Sequence, residues 1–99
     1  MEETMSKKEE ATVLGIIRIG AGSSWYQCTD QVKCAIEAAK ICKQDWAHLF
    51  KFKRKQDFPV NLYDISKSDG GWFATDSGVY SNGESEKQIP FIKTIYVVV

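Results

Sequence analysis

The sequence lacks the features that most often identify a membrane protein or a nucleic-acid-binding protein. Its 99 residues include no apolar run near the roughly 20 residues that a transmembrane helix needs. The 13 basic residues balance the 13 acidic ones, so the formal net charge is zero. A neutral chain has no overall field that attracts nucleic acid or anionic lipid. We therefore expect no membrane insertion and no binding of polyanions by the whole surface.

Cysteine is scarce and irregularly placed. Cys28, Cys34 and Cys42 are an odd number, and the pattern Cys-x-x-Cys is absent. A small secreted disulfide domain usually has an even and denser set. Residues 1–10 also lack the apolar stretch of a secretory signal. These observations favour a reduced, cytoplasmic protein.

Histidine is represented by His48 alone, which leaves few residues for catalysis or metal binding. On the helix predicted below, Cys42 points to the core and Cys34 to solvent, so one metal ion cannot easily bind both. Cys34 and His48 are fourteen residues apart, which is about 21 Å along a helix and too far for a nucleophile and its base. Gly20-Ala21-Gly22 lacks the third glycine of a dinucleotide-binding turn. The sequence therefore predicts no metal, no cofactor and no enzymatic activity.

Length and composition indicate one globular domain. Hydrophobic residues make up 43% and charged residues 26%, an ordinary mixture for a globular chain. Residues 1–10 carry four acids and two bases and have no hydrophobic period. We expect a disordered charged tail over 1–10 and a single domain over 11–99. Met5 is an alternative start that the sequence leaves open.

An amphipathic helix is the strongest local signal. Thr29 or Asp30 can cap its first turn, and an acid suits the helix N-terminus. Apolar residues recur on one side of a helical wheel, which predicts a helix from about Asp30 to about His48. The members of this apolar side are Val32, Ala35, Ile36, Ala39, Cys42, Trp46, Leu49 and Phe50.

Several segments are predicted to be strands. Residues 12–19 are rich in β-branched side chains, with Gly15 suggesting a bulge. Residues 25–27 form either a short strand or an ordered loop. Residues 58–65 alternate in strand fashion and, with residues 72–75, predict a hairpin around the Asp69-Gly70 turn. Residues 89–99 are apolar on both faces, which predicts a central or doubly covered strand.

These elements define an α+β fold with the order β-α-β-β-β. One amphipathic helix packs on an antiparallel sheet of about four strands and leaves the other sheet face open. Because residues 89–99 are apolar on both faces, we expect a protein partner there, with a second copy of the chain as one possibility.

Aromatic side chains near glycine-rich turns supply the candidate binding site. Tryptophan and tyrosine at such positions often anchor binding surfaces. Trp72 and Phe73 are adjacent on a strand, so one faces the core and the other the open face. The leading hypothesis is a non-catalytic protein-binding module that uses its open sheet face and loop aromatics. The candidate binding residues are Trp25, Tyr26, Trp72, Phe73 and Tyr80.

A short basic segment supports an alternative function. Lys51, Lys53, Arg54 and Lys55 surround Phe52. Cations beside an aromatic ring can hold single-stranded nucleic acid by charge and stacking. The same pattern also suits a solvated helix end, where cations interact favourably with the dipole.

Overall fold

The computed structural model describes residues 11–20, 22–68, 70–83 and 87–99. The expected tail over 1–10, with the alternative start at Met5, lies outside the described residues, and so does Asp69 in the expected turn. In chain order the elements are β1 (Val13–Ile19), β2 (Gly22–Cys28), α1 (Gln31–Asp45), β3 (Asp57–Asp64), β4 (Trp72–Thr75), β5 (Gly78–Ser81) and β6 (Phe91–Val98).

Four antiparallel strands form the main sheet in the order β2-β1-β3-β6, and α1 packs across one of its faces. β4 and β5 form a second, two-stranded sheet. The predicted class, one helix on a four-stranded antiparallel sheet in a single α+β domain, is confirmed. The sequence left open whether residues 25–27 form a strand or a loop, and in the structure they belong to β2. A second strand therefore precedes α1, which the predicted order lacks.

The helix begins where the sequence places it and ends slightly earlier. The Asp30 carboxylate accepts a hydrogen bond from the Lys33 backbone N–H over 2.9 Å, as an N-cap does. α1 ends at Asp45, and the chain continues in turns through residue 49. Its buried residues are Cys34, Ala35, Ala38, Ala39 and Cys42.

The buried side of α1 is rotated from the predicted one. Val32 and Leu49 are 59% and 61% exposed, and Cys34, predicted to face solvent, is fully buried. Small side chains explain the rotation, because they allow the helix backbone to approach the sheet closely. One such close approach is at Gly15, where an added Cβ would lie 3.3 Å from the Cys34 Sγ atom.

The predicted hairpin between residues 58–65 and 72–75 is wrong. β3 is paired on both edges, with β1 and with β6, and has no free edge for β4. β4 instead pairs with β5, with Thr75 opposite Gly78. The two residues between them make the short loop that favours a β-hairpin, and Gly78 supplies a positive φ of 145°.

The β4–β5 hairpin covers part of the sheet face opposite α1, which the sequence predicted to be open. A second core forms there from Leu14, Ile16, Ile65, Val79 and Ile89, with Trp72 packed against it. Arg18 on β1 also donates to Asp76 at the hairpin loop over 2.8 Å. Tyr63 of β3 also packs against this core, whereas Tyr96 and Val98 of β6 are exposed on the same face.

The last strand is not central as predicted. β6 lies at the edge of the sheet, and its only described neighbour in the sheet is β3. Ile95 and Val97 pack into the core beneath α1, which accounts for one apolar side. On the opposite side of β6, Tyr96 and Val98 are exposed, and Phe91 at the start of the strand is exposed as well.

Candidate interaction surface

An apolar surface follows the edge strand β6. Phe91, Tyr96 and Val98 are 55%, 71% and 54% exposed. Pro59 lies directly opposite Tyr96 in the neighbouring strand, and the Tyr63 and Phe91 rings are 5.5 Å apart between centroids. We call these five residues, with the outer backbone edge of β6, the β6 surface.

The backbone of β6 alternates between bonding to β3 and pointing outward. Gln56 and Val99 exchange both backbone hydrogen bonds, at 2.9 and 3.1 Å. Hydrogen-bonded pairs recur at every second residue of an antiparallel ladder. Val97, Ile95 and Lys93 therefore bond to β3, while Val98, Tyr96 and Thr94 turn their N–H and C=O groups outward. Among the described residues no strand accepts or donates to this edge.

The pairing with β3 is regular over only part of β6. The register shifts between Leu62 and Tyr63, whose partners are Lys93 and Phe91, so Ile92 is the extra residue of a bulge. The regular stretch, including the Gln56–Val99 pair, runs from Lys93 to Val99. Tyr96 is its middle residue.

The five aromatic residues selected from the sequence lie in three separate places. Trp25 and Trp72 meet edge to face, 5.2 Å between centroids, and the Trp72 indole N–H donates to Gln27 over 3.0 Å. Phe73 and Tyr80 stack on each other at 5.7 Å on the hairpin face that points away from the main sheet. Tyr26 packs against the core beneath α1, on the opposite sheet face from Trp25.

Trp25 and Trp72 line an open cleft of about 520 Å³. Its remaining walls are Gln27, Ile65, Ser68 and Gly71. Trp25 is 48% exposed, whereas Trp72 is half-buried against the second core. Trp72 and Phe73 do point to opposite faces, as predicted, but these are the two faces of the small hairpin.

The basic segment lies at the end of the sheet where β3 begins. Lys51, Lys53, Arg54 and Lys55 are exposed, and neither ion pair among the described residues includes them. Phe52 is half-buried between the rings of Phe50 and Phe58, at centroid distances of 6.0 and 5.4 Å. Phe52 therefore packs within the fold, and the exposed aromatic ring beside the basic segment is that of Phe50.

All three thiols are free, and those of Cys34 and Cys42 are poorly placed for nucleophilic chemistry. The Cys34 thiol donates to the Tyr26 carbonyl oxygen over 3.0 Å. Burial, reinforced by the neighbouring Cys28, raises the pKa of Cys34 to about 12. Burial also raises the pKa of Cys42. Because the thiolate is the nucleophile, both cysteines are weak nucleophiles at neutral pH.

Neither a cluster of metal-ligating side chains nor a membrane-spanning helix occurs in the described ranges. No group of three or more histidine, cysteine, aspartate or glutamate side chains is arranged there to hold a metal ion. No helix in the same ranges is long and apolar enough to cross a membrane. His48 is exposed and stacks on Trp46 at 6.5 Å between centroids.

The β6 surface contains residues that the sequence did not select. Residues 89–99 are recognisable as a doubly apolar strand, but Phe91, Tyr96 and Val98 are not among the predicted binding residues. The alternation of side chains in that segment could have indicated them, because Tyr96 and Val98 fall on the side opposite Ile95 and Val97.

Comparison with protein-family models, with curated proteins and with solved structures finds no match to this chain.

Proposed function

We propose that the chain is a non-catalytic protein-binding module that binds its partner through the β6 surface. The observation that carries this proposal is Tyr96, which is 71% exposed on a strand whose outer backbone edge pairs with no described strand. The outward N–H and C=O groups supply affinity for an added strand, and the exposed side chains supply selectivity.

Within the part of the chain that the structure describes, little protects the edge of β6, and this supports the proposal. Soluble proteins usually blunt an edge strand with charges, proline or a covering segment, because a bare edge pairs with other chains. Between Phe91 and Val98 the single charged residue is Lys93, and Pro90 lies just before the strand. Three large apolar side chains remain exposed on a short stretch, which is typical of a surface that meets a partner.

The loop aromatics extend the proposed binding region. Trp25 and Trp72 lie on the same side of the sheet as Tyr96, at the β2 end of that face. We propose their cleft as a secondary contact for a partner that reaches across the hairpin. Tyr26 packs against the core beneath α1 and is not included in this proposed contact.

Capture experiments with matched variants test the proposal. The chain is used as bait in native extract with nuclease added, beside Tyr96→Lys and, as control, Val32→Lys. Val32 is 59% exposed on α1, away from the β6 surface, so its substitution adds the same charge elsewhere. We expect a stoichiometric protein, either another copy or a different chain, on the wild type and on Val32→Lys but not on Tyr96→Lys. Equal capture by all three baits, or capture by none, would overturn the proposal.

Single-strand nucleic-acid binding is a second candidate. It is favoured by four exposed cations beside Phe50, whose ring contacts Trp46 and Phe52 and is 39% exposed. Affinity should then fall steeply with salt. Replacing the four cations with glutamate should abolish binding to a labelled single strand, whereas Tyr96→Lys should leave it unchanged. Unchanged binding after the fourfold replacement eliminates this candidate.

We also propose a reducing, cytoplasmic setting. All three cysteines are free, and Cys34 and Cys42 are buried too deeply to meet an external thiol. Location by fractionation of cells that express the tagged chain tests this directly.

A further inference from the structure

We infer that the partner of the β6 surface is a second copy of this chain, paired β6 to β6 and antiparallel about a twofold axis at Tyr96. This inference rests on the proposed function and names the occupant of the same surface. It follows from the register, the charges and the extent of regular strand in β6.

The register of the free edge fixes where the axis lies. An antiparallel partner must bond to the outward residues Thr94, Tyr96 and Val98. Only an axis at Tyr96 pairs all three with outward residues of the same regular stretch: Tyr96 with the partner's Tyr96, and Thr94 with the partner's Val98. Because Tyr96 is the midpoint of the stretch from Lys93 to Val99, this axis also uses its full length.

The charges of β6 are compatible with self-pairing. Lys93 would lie opposite the partner's Val99, and the two lysines would be six residues apart along the strands, about 20 Å. No like charges face each other across the new ladder, which is where they would destabilise it most. At the twofold axis the most exposed ring of the surface meets its own copy, and aromatic cross-strand pairs stabilise a ladder.

The basic segment selects the antiparallel arrangement. Gln56 is bonded to Val99, so residues 51–55 lie at the Val99 end of β6. In a parallel pairing the two basic segments would lie side by side and repel. In the antiparallel pairing each lies at the Phe91 end of the other copy, far from its equivalent.

The dimer would have one continuous eight-stranded sheet. An axis perpendicular to the sheet keeps both α1 helices on one face. On the other face the β3 and β6 strands of the two copies join into one strip, in which the hydrogen-bonded Asn61–Thr94 pair of each copy lies among the apolar side chains, with a β4–β5 hairpin at each side. Tyr96 and Val98, exposed in one copy, would lie at the centre of this strip.

Cysteine cross-linking tests the register. All variants carry Cys28→Ser, and Cys34 and Cys42 are buried. Residues of a hydrogen-bonded antiparallel pair have Cα atoms about 5.5 Å apart, within the range of a disulfide. We expect Tyr96→Cys to form a covalent dimer under mild oxidation or with a short bismaleimide. Thr94→Cys alone should not, because its copy lies four residues away, about 14 Å.

A mixture of Thr94→Cys and Val98→Cys completes the test. Since these positions face each other across the proposed axis, the mixture should give a heterodimer that neither variant gives alone. Cross-linking of Thr94→Cys with itself as readily as Tyr96→Cys would overturn the register. No cross-linking by any variant, with a wild-type chain that sediments as a monomer, would overturn the inference. If such a monomer still captures a different protein through Tyr96, the proposed function stands, and the partner of the β6 surface is that protein and not a second copy.

Discussion

Gly15 of β1 lies so close to Val60 of β3 that a Cβ atom added at Gly15 would be 2.9 Å from the valine Cγ1. Real Cβ atoms do not approach other carbons to this distance, so a neighbour would have to move. The pairing of β1 with β2 and with β3 runs without a register shift through Gly15. The bulge that the sequence suggested here is therefore wrong, and the glycine serves the close packing beneath α1.

Gly15→Ala should destabilise the fold through overpacking. The added methyl group would meet Val60, Leu62 and the Cys34 Sγ atom, all of them fully buried. We expect a loss of about 1–3 kcal/mol in the free energy of unfolding. Urea denaturation followed by circular dichroism measures it. Ser23→Ala at an exposed position of β2 is the control and should change stability by less than about 0.5 kcal/mol.

Asp30→Ala should weaken α1 at its start. The carboxylate accepts the Lys33 N–H, and its loss leaves a first-turn donor without that partner. We expect a loss of about 1 kcal/mol in the free energy of unfolding. Asp45→Ala removes an acid from the last turn, where a negative charge is unfavourable. A stability loss for Asp45→Ala as large as that for Asp30→Ala would contradict the capping role.

Trp72→Ala and Phe73→Ala separate the two faces of the hairpin. Trp72 packs on the second core and contacts Trp25, whereas Phe73 stacks on Tyr80 away from the sheet. We expect Trp72→Ala to lower the free energy of unfolding by about 2–3 kcal/mol, somewhat less than a fully buried tryptophan. Phe73→Ala should lower it by about 1 kcal/mol. The reverse order of the two losses would mean that the hairpin packs through its other face.

Stability should fall in alkaline solution because of Cys34. The pKa of its thiol is about 12 in the folded chain, whereas an unperturbed cysteine has a pKa of 9.0. Between these values the folded state holds a proton that the unfolded state has lost, so the free energy of unfolding decreases as pH rises above about 9. Denaturation at pH 8 and at pH 10.5 compares the wild type with Cys34→Ala. The variant should lose less stability between the two pH values, and an equal loss would assign the effect to other groups.

The sequence allowed the helix and the fold class to be predicted because both depend on local signals. The helical period and the Asp30 cap lie within α1 itself, and β-branched residues mark β1 and β6. The side of α1 that is buried could not be predicted from hydrophobicity. Val32 is apolar but 59% exposed, whereas Ala35 and Ala38 are fully buried and their small side chains permit the contact with the sheet.

The strand pairing was predicted less well, because it depends on contacts between distant segments. The Asp69-Gly70 turn signal suggested that residues 58–65 and 72–75 pair, but β1 and β6 occupy both edges of β3. An exposed apolar sheet surface was expected from the sequence, but the residues that form the one in the structure were not among the predicted binding residues. Tyr96 is exposed because the hairpin packs on another part of the same sheet face. No local pattern in the sequence predicts where the hairpin packs.

Sedimentation velocity of the purified chain, with Tyr96→Lys and Val32→Lys measured beside it, tests the role of the β6 edge most directly. Lysine at position 96 would place two like charges at the proposed axis and remove the aromatic pair. We expect a wild-type dimer of 11.2 kDa protomers, an equally stable Val32→Lys dimer, and a Tyr96→Lys chain whose dimer dissociates about 30-fold more readily. A wild-type monomer, or a Tyr96→Lys dimer as stable as the wild type, would contradict strand pairing at Tyr96.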